Sequence, residues 1–157
     1  MKLRSALVLV AFLAISFGVA ALGSLATLQN VDGWYAAAEK APWNPPNAIF
    51  GPVWTLLYTL MSVAAWLVWR ERKRVDVRPA LTLYVVQLVL NALWTPIFFA
   101  GDRYGLALVE IVALLVAVLV TIAMFAARSR TAAWLLAPYA AWVAFATVLN
   151  LGIVVLN

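Results

Sequence analysis

Residues 104–127 read YGLALVEIVALLVAVLVTIAMFAA, and Glu110 is the only charged side chain among them. Because an α-helix rises about 1.5 Å per residue and the hydrocarbon core of a bilayer is about 30 Å thick, a helix of this length can cross a membrane. Four further apolar runs cover residues 3–27, 47–69, 80–100 and 131–156. The pattern predicts an all-α membrane protein, a five-transmembrane-helix bundle that takes in the whole chain as a single domain.

The composition supports lipid as the solvent and excludes several kinds of chemistry. Of the 157 residues, 67% are hydrophobic and 11% are charged, whereas soluble domains are about 45–50% apolar and about 25% charged. The chain contains neither Cys nor His. Disulfides, thiolate ligands and imidazole ligands are therefore excluded, and we predict no metal site and no cofactor.

The basic residues are distributed unevenly between the two faces that five spans would create. Nine lie on one face, namely Lys2, Arg4, Arg70, Arg72, Lys73, Arg74, Arg78, Arg128 and Arg130. The other face carries Lys40 and Arg103. Because short loops rich in Lys and Arg stay in the cytoplasm, we expect the N-terminus on the cytoplasmic side and the C-terminus outside. The net charge of +5 then reflects membrane flanks rather than nucleic-acid binding.

The first span also has an alternative interpretation. Lys2, Arg4 and the apolar run that follows them are similar to the start of a secretory signal peptide. The run is much longer than the apolar region of about 7–15 residues that such signals contain. A membrane span is therefore the favoured interpretation, with a cleaved signal as the alternative.

The longest connection, residues 28–46, is rich in proline and aromatic residues, including Trp34, Tyr35 and Trp43. One interpretation is an aromatic belt at the membrane surface, stiffened by proline. The other is a lid that closes the mouth of the helix bundle over a ligand.

Polar and aromatic residues recur along one face of three predicted spans. The stripes are Tyr84, Gln87, Asn91 and Trp94 on the third span, Trp54, Tyr58 and Met61 on the second, and Pro138, Trp142, Ala146 and Asn150 on the fifth. Such groups can join helices by hydrogen bonds worth about 0.6 kcal/mol each. They can also line an apolar cavity with a few donors, which suits a flat, largely apolar ligand.

Two further residues stand out inside the spans. Pro96 cannot donate a hydrogen bond to Ala92, so we expect a kink near the end of the third span. Glu110 is the only ionisable residue well inside a span. It can reach toward water or pair with Arg103, or it can form the proton or cation site of a small secondary transporter.

Several motifs occur in an order that resembles a known family. They are WY at 34–35, PWNPP at 42–46, GPVW at 51–54, QLVLN at 87–91, WTPIFF at 94–99, ALVE at 107–110 and PYAAWVAFATVLN at 138–150. Over nearly its whole length the chain resembles the translocator protein family, also called TspO, the tryptophan-rich sensory protein or the peripheral-type benzodiazepine receptor. Because the animal sterol pattern is missing, the resemblance favours a bacterial-type member in a bacterial cell membrane.

The resemblance implies a homodimeric five-helix bundle that binds porphyrins and related hydrophobic ligands beneath the first loop, with a stress-sensing or transport role. The expected ligand-binding residues are Trp34, Tyr35, Trp43, Trp54, Tyr58, Gln87, Asn91, Trp94, Trp142, Ala146, Leu149 and Asn150. The family suggests an alternative, light-dependent porphyrin breakdown with Trp54 and Trp142 as the catalytic residues. Sterol binding is a weaker expectation, because Leu151 and Val155 replace the Tyr and Arg of the animal sterol pattern.

Overall fold

A computed structural model of the chain describes residues 2–28, 32–100 and 103–157. The α-helices in these ranges are α1 (Lys2–Leu28), α2 (Trp34–Ala37), α3 (Asn47–Arg70), α4 (Arg78–Thr95), α5 (Tyr104–Ala126) and α6 (Arg130–Leu156). A 3₁₀ turn, Glu71–Lys73, follows α3, and a π-helical segment, Pro96–Ala100, continues α4.

Five of these elements are long and apolar enough to cross a membrane, namely α1, α3, α4 with its extension, α5 and α6. This confirms the predicted fold class, and the protein is an integral, multi-pass membrane protein. The helix starts follow from local chemistry. Pro46 precedes the first residue of α3, where the missing N–H costs nothing, and the Ser129 side chain accepts a hydrogen bond from the Ala132 N–H at the start of α6.

The irregular end of α4 lies at Pro96. The α-helix ends at Thr95, and the chain then widens into the π-helical segment Pro96–Ala100. Proline has no N–H for the regular hydrogen bond and its ring crowds the preceding turn, so the backbone departs from the α-helix at this residue. The expected distortion is therefore present, in the form of a π-segment.

The five long helices form a closed ring in the order α1, α3, α6, α5, α4. At one end of the ring the centre is filled by large buried side chains, among them Met61, Tyr84 and Phe125. We call this the basic end, because Arg4, Arg70, Arg72, Lys73, Arg74, Arg78, Arg128 and Arg130 lie there. The opposite end is covered by the first loop, and we call it the loop end.

A chain of hydrogen bonds joins three helices near the middle of the bundle. The Tyr58 hydroxyl on α3 donates to Asn91 Oδ1 on α4, and Asn91 Nδ2 donates to the Tyr139 hydroxyl on α6 at 3.1 Å. Tyr139 in turn donates to Gln87 Oε1 at 2.9 Å. All four side chains are buried. Since unpaired polar groups are costly away from water, this relay fixes how α3, α4 and α6 face one another.

A second polar cluster attaches α1 to the ring. Ser16 Oγ lies 2.9 Å from the Tyr84 hydroxyl and 3.0 Å from Ser62 Oγ, and both serines are fully buried. Most of α1 otherwise presents leucine, valine and isoleucine outward. These few polar contacts therefore set the rotation of a helix that is apolar on nearly every side.

We expect Tyr139→Phe to destabilise the bundle by about 1 kcal/mol, because Asn91 would lose an acceptor and Gln87 a donor in a buried site. Equilibrium unfolding by sodium dodecyl sulfate in mixed micelles measures this. Tyr104→Phe is the control, since the recorded contacts of Tyr104 come from its ring and its backbone carbonyl. Equal stability of the two variants would contradict the structural role of the relay.

Candidate functional site

A cavity of about 610 Å³ opens inside the ring at the loop end. Nine of the residues expected to bind ligand line it, namely Tyr35, Trp54, Tyr58, Asn91, Trp94, Trp142, Ala146, Leu149 and Asn150. Ligand cavities in proteins commonly enclose about 300–1,000 Å³ and combine apolar walls with a few polar groups. This cavity has the size and the lining of a binding site for an apolar organic molecule.

Three indole rings form much of the cavity wall. Trp54 stacks on Tyr58 with ring centroids 5.3 Å apart and an interplanar angle of 30°. Trp94 stacks on Phe98 with centroids 4.9 Å apart and an angle of 18°. Trp142 meets Phe50 edge to face at 5.6 Å. Because each ring is held by an aromatic neighbour, the walls keep their shape without a ligand.

The polar groups of the cavity divide into paired and unpaired atoms. Trp94 Nε1 donates to Asn150 Oδ1 at 3.2 Å, and Asn150 Nδ2 donates to the Tyr104 carbonyl oxygen at 2.9 Å. Asn91 is held by Tyr58 and Tyr139. Trp142 Nε1, by contrast, is buried and has no hydrogen-bond partner among the described residues. A buried N–H without an acceptor is costly, so this atom is a natural donor to a ligand.

The first loop is attached to the bundle above the cavity at two places. Trp34 Nε1 donates to the Phe99 carbonyl oxygen at 3.1 Å, and Tyr35 packs edge to face against Phe98 and Phe99. On the α6 side, Asn157 Oδ1 accepts from the Glu39 N–H and Asn157 Nδ2 donates to the Glu39 carbonyl oxygen, both at 3.0 Å. These contacts hold Tyr35 and Asn44 in the cavity wall.

Three of the expected ligand-binding residues lie outside the cavity wall. Trp34 packs behind it, against Tyr35, Phe98 and Tyr104. Trp43 is 61% exposed, as expected of an aromatic residue at the membrane surface. Gln87 is buried deeper in the bundle, where it accepts the hydrogen bond from Tyr139. Gln87 was predicted to bind ligand because it shares one face of α4 with Asn91. The cavity reaches Asn91 but does not extend as far as Gln87.

One wall of the cavity was not predicted from the sequence. Helix α1 contributes Phe17, Ala20, Ala21, Gly23, Ser24, Thr27 and Leu28. Phe17, Ser24 and Thr27 lie on one face at positions i, i+7 and i+10, but small hydroxyl residues among alanines are a weak signal in a membrane helix. Gly23 was one available signal, since a Cβ there would lie 3.3 Å from Thr95 Oγ1. The glycine therefore permits α1 to approach α4 closely beside the cavity.

Glu110 lies on α5 outside the cavity lining. Both of its carboxylate oxygens are buried and lack a hydrogen-bond partner within the part of the chain that the structure describes. In the same ranges no ion pair joins it to Arg103, and the one recorded salt bridge is Arg74–Glu71. The ion pair between Glu110 and Arg103 that the sequence analysis offered as one structural role is therefore not present.

Five membrane-spanning helices form a ring around an aromatic-lined cavity that a loop covers at one end, which defines a small multi-pass helical membrane protein. The model of the TspO/MBR family matches residues 10–156, and the chain belongs to that family. This confirms the resemblance seen in its motifs.

The family assignment agrees with individual relatives. The chain is 42% identical over 149 residues to the tryptophan-rich protein TspO of Archaeoglobus fulgidus, covering 95% of this chain and 94% of the relative. It is 42% identical over 119 residues to the human translocator protein, covering 74% and 70%. It is 38% identical over 142 residues to the tryptophan-rich sensory protein of Cereibacter sphaeroides, covering 88% of each.

Burial raises the pKa of the Tyr35 phenol above its ordinary value of 10.0, and a hydrogen bond with the Asn44 side chain offsets part of the effect. A raised pKa means that docking of the loop is stabilised below pH 10 and weakens as pH rises through the folded value. The difference in phenolate absorbance between the unmodified protein and Tyr35→Phe reports the titration of Tyr35. In the folded proteins we expect this difference to appear above pH 10. The same difference measured on unfolded protein should titrate near 10, and equal values in the two states would contradict the docked position.

Proposed function

We propose that this protein binds porphyrins, or related flat and hydrophobic tetrapyrroles, in the cavity at the loop end, and that this binding serves a sensory or transport role. The cavity walls offer broad aromatic faces and few polar groups, which matches the chemistry of a tetrapyrrole ring. Because the chain has no His, binding of haem would rest on shape and stacking rather than on imidazole coordination.

The single observation that carries this proposal is the unpaired indole N–H of Trp142. It is buried in the wall of an apolar cavity and has no partner among the described residues, whereas the side-chain amides of Asn91 and Asn150 are hydrogen-bonded. A ligand carbonyl or carboxylate oxygen would satisfy it, and the penalty for leaving it unpaired would then be removed on binding. A purely structural tryptophan gains nothing from an N–H in this position.

Assembly and orientation are part of the same proposal. A homodimer is supported by the resemblance of the chain to its family, and a cytoplasmic N-terminus is supported by the nine basic residues against two on the opposite face. A bacterial cell membrane is the compartment that we favour. Sterol is a less suitable ligand, since the positions of the animal sterol pattern hold Leu151 and Val155.

Trp54 and Trp142 would also serve the alternative activity, light-dependent breakdown of a bound porphyrin. Trp54 and Trp142 both line the cavity, and the stacked Tyr58 gives Trp54 a second aromatic group at 5.3 Å. An indole beside a photoexcited ring can donate an electron to it, and molecular oxygen would be the oxidant that the breakdown consumes. Binding is therefore the function to establish first, because breakdown depends on it.

We expect purified protein to bind protoporphyrin saturably, with quenching of tryptophan fluorescence, and Trp142→Phe to weaken this binding about tenfold. The phenyl ring keeps the apolar surface but removes the N–H donor, which accounts for the loss. A fluorescence titration gives the dissociation constant.

Trp134→Phe is the matched control for this experiment. Trp134 lies on the same helix, is 77% exposed and does not line the cavity, so its replacement should leave the affinity unchanged. Unchanged affinity in both Trp54→Phe and Trp142→Phe would refute the assignment of the cavity as the porphyrin site.

A second candidate function, secondary transport, is supported by the buried and unpartnered carboxyl group of Glu110. Ionisable groups inside membrane spans commonly take part in proton or cation movement. If Glu110 drives transport, Glu110→Gln should abolish porphyrin flux into vesicles while leaving equilibrium binding intact. A flux equal to that of the unmodified protein would exclude this role.

A further inference from the structure

Positive charge is concentrated at the basic end of the bundle. In the sequence this end carries nine basic residues and two acidic ones, Glu71 and Asp76, which leaves seven positive charges in excess. In the sequence, the connections of the loop end contain Lys40 and Arg103 together with Asp32, Glu39 and Asp102. So many like charges within a few short loops repel one another unless something negative lies among them.

The acidic residues at the basic end do little to neutralise this charge. Glu71 forms one exposed ion pair with Arg74, at 3.8 Å, where the Arg74 side chain is 83% exposed. Asp76 Oδ1 accepts a hydrogen bond from the Arg78 backbone N–H rather than from a basic side chain. In the ranges that the structure describes, no second ion pair is recorded at this end. Most of the positive charge at this end is therefore not neutralised by the acidic residues of the same end, which favours binding of an anion.

Two arginines at this end lie over indole rings. The Arg72 guanidinium carbon lies 3.3 Å from the Trp69 ring centroid, and Arg72 Nη1 also donates to the Trp69 carbonyl oxygen at 3.0 Å. The Arg70 guanidinium carbon lies 4.9 Å from the Trp66 ring centroid. Cation–π contact occupies the face of a guanidinium and leaves N–H groups at its edge free to bind phosphate.

The indole rings place these arginines at the level of lipid headgroups. Trp66 Nε1 donates to the Ser5 carbonyl oxygen at 2.9 Å, which fixes the ring at the junction of α1 and α3. Tryptophan prefers the boundary between hydrocarbon and headgroups, so a guanidinium beside it lies near the phosphates. Trp134, 77% exposed, offers apolar surface for acyl chains at the same end.

The loop that carries the remaining charges is tied to the bundle. Arg128 Nε donates to the Asp76 carbonyl oxygen at 3.0 Å, and Arg128 Nη1 donates to the Met124 carbonyl oxygen at 2.8 Å. Residues 71–78 are thus attached to the end of α5. Because the loop is positioned in advance, less entropy is lost when a headgroup binds.

We propose that the basic end binds the phosphate of an anionic phospholipid of the phosphatidylglycerol class, with Arg70 and Arg72 as its main contacts and Lys73, Arg74 and Arg78 as surrounding charge. This site is separate from the cavity and does not depend on the porphyrin proposal. A lipid is favoured over a soluble anion because the two arginines lie beside indole rings and exposed apolar surface.

The test uses the full chain reconstituted in vesicles that contain brominated phosphatidylglycerol or brominated phosphatidylcholine, which quench tryptophan fluorescence on contact. The chain has eight tryptophans, and the part of the quenching that is lost in Trp66→Phe/Trp69→Phe reports on the basic end. We expect phosphatidylglycerol to quench at a lower mole fraction than phosphatidylcholine. Since each basic residue near a lipid surface contributes roughly fivefold, this preference should fall at least that much in Arg70→Gln/Arg72→Gln.

The matched control is Lys40→Gln/Arg103→Gln, which removes two charges from the loop end and should keep the preference. Circular dichroism shows whether each variant is folded. If Arg70→Gln/Arg72→Gln does not fold, Arg74→Gln/Arg78→Gln takes its place, since both side chains are exposed. Equal quenching by the two lipids, an equal loss in the control pair, or full competition by inorganic phosphate would overturn the proposal.

Discussion

The hydrogen-bonded relay of Tyr58, Asn91, Tyr139 and Gln87 is the constraint on which the arrangement of the bundle depends. Lipid gives apolar helices little reason to prefer one rotation over another, since a leucine is as well solvated by acyl chains as by a neighbour. Polar groups are different, because each needs a partner. Once the relay is satisfied, the rotations of α3, α4 and α6 are set, and with them the side chains that face the centre of the ring.

The cavity lies directly beside this relay, and the two share residues. Tyr58 and Asn91 belong both to the relay and to the cavity lining, so the wall of the site is held by the contacts that hold the helices together. Trp54 is positioned by its stacking on Tyr58. Trp142 differs in that its N–H is buried without a partner among the described residues. Sites that bind ligands commonly retain such unsatisfied groups, at a cost that the rest of the structure offsets.

Much of the fold could be predicted, because the length and apolarity of a membrane span are local properties of the chain. The distortion at Pro96 could also be predicted, since a missing N–H acts within one turn of the helix. The residues that line the cavity were harder to predict from the sequence. The stripes of α3, α4 and α6 contained seven of the lining residues, but they also included Gln87, and no stripe was recognised on α1. How deep a cavity extends depends on the bulk of side chains from other helices, which no single helix encodes.

Residue order alone established the number of spans, the faces that carry charge, and the family, because these depend on hydrophobic length, on short basic loops and on spaced Trp, Pro and Asn motifs. Packing in three dimensions settled which tryptophans line the cavity, how the first loop docks through Trp34 and Asn157, and which buried donor stays unpaired. Those features arise between helices far apart in the sequence, where distance and burial decide the outcome rather than residue type.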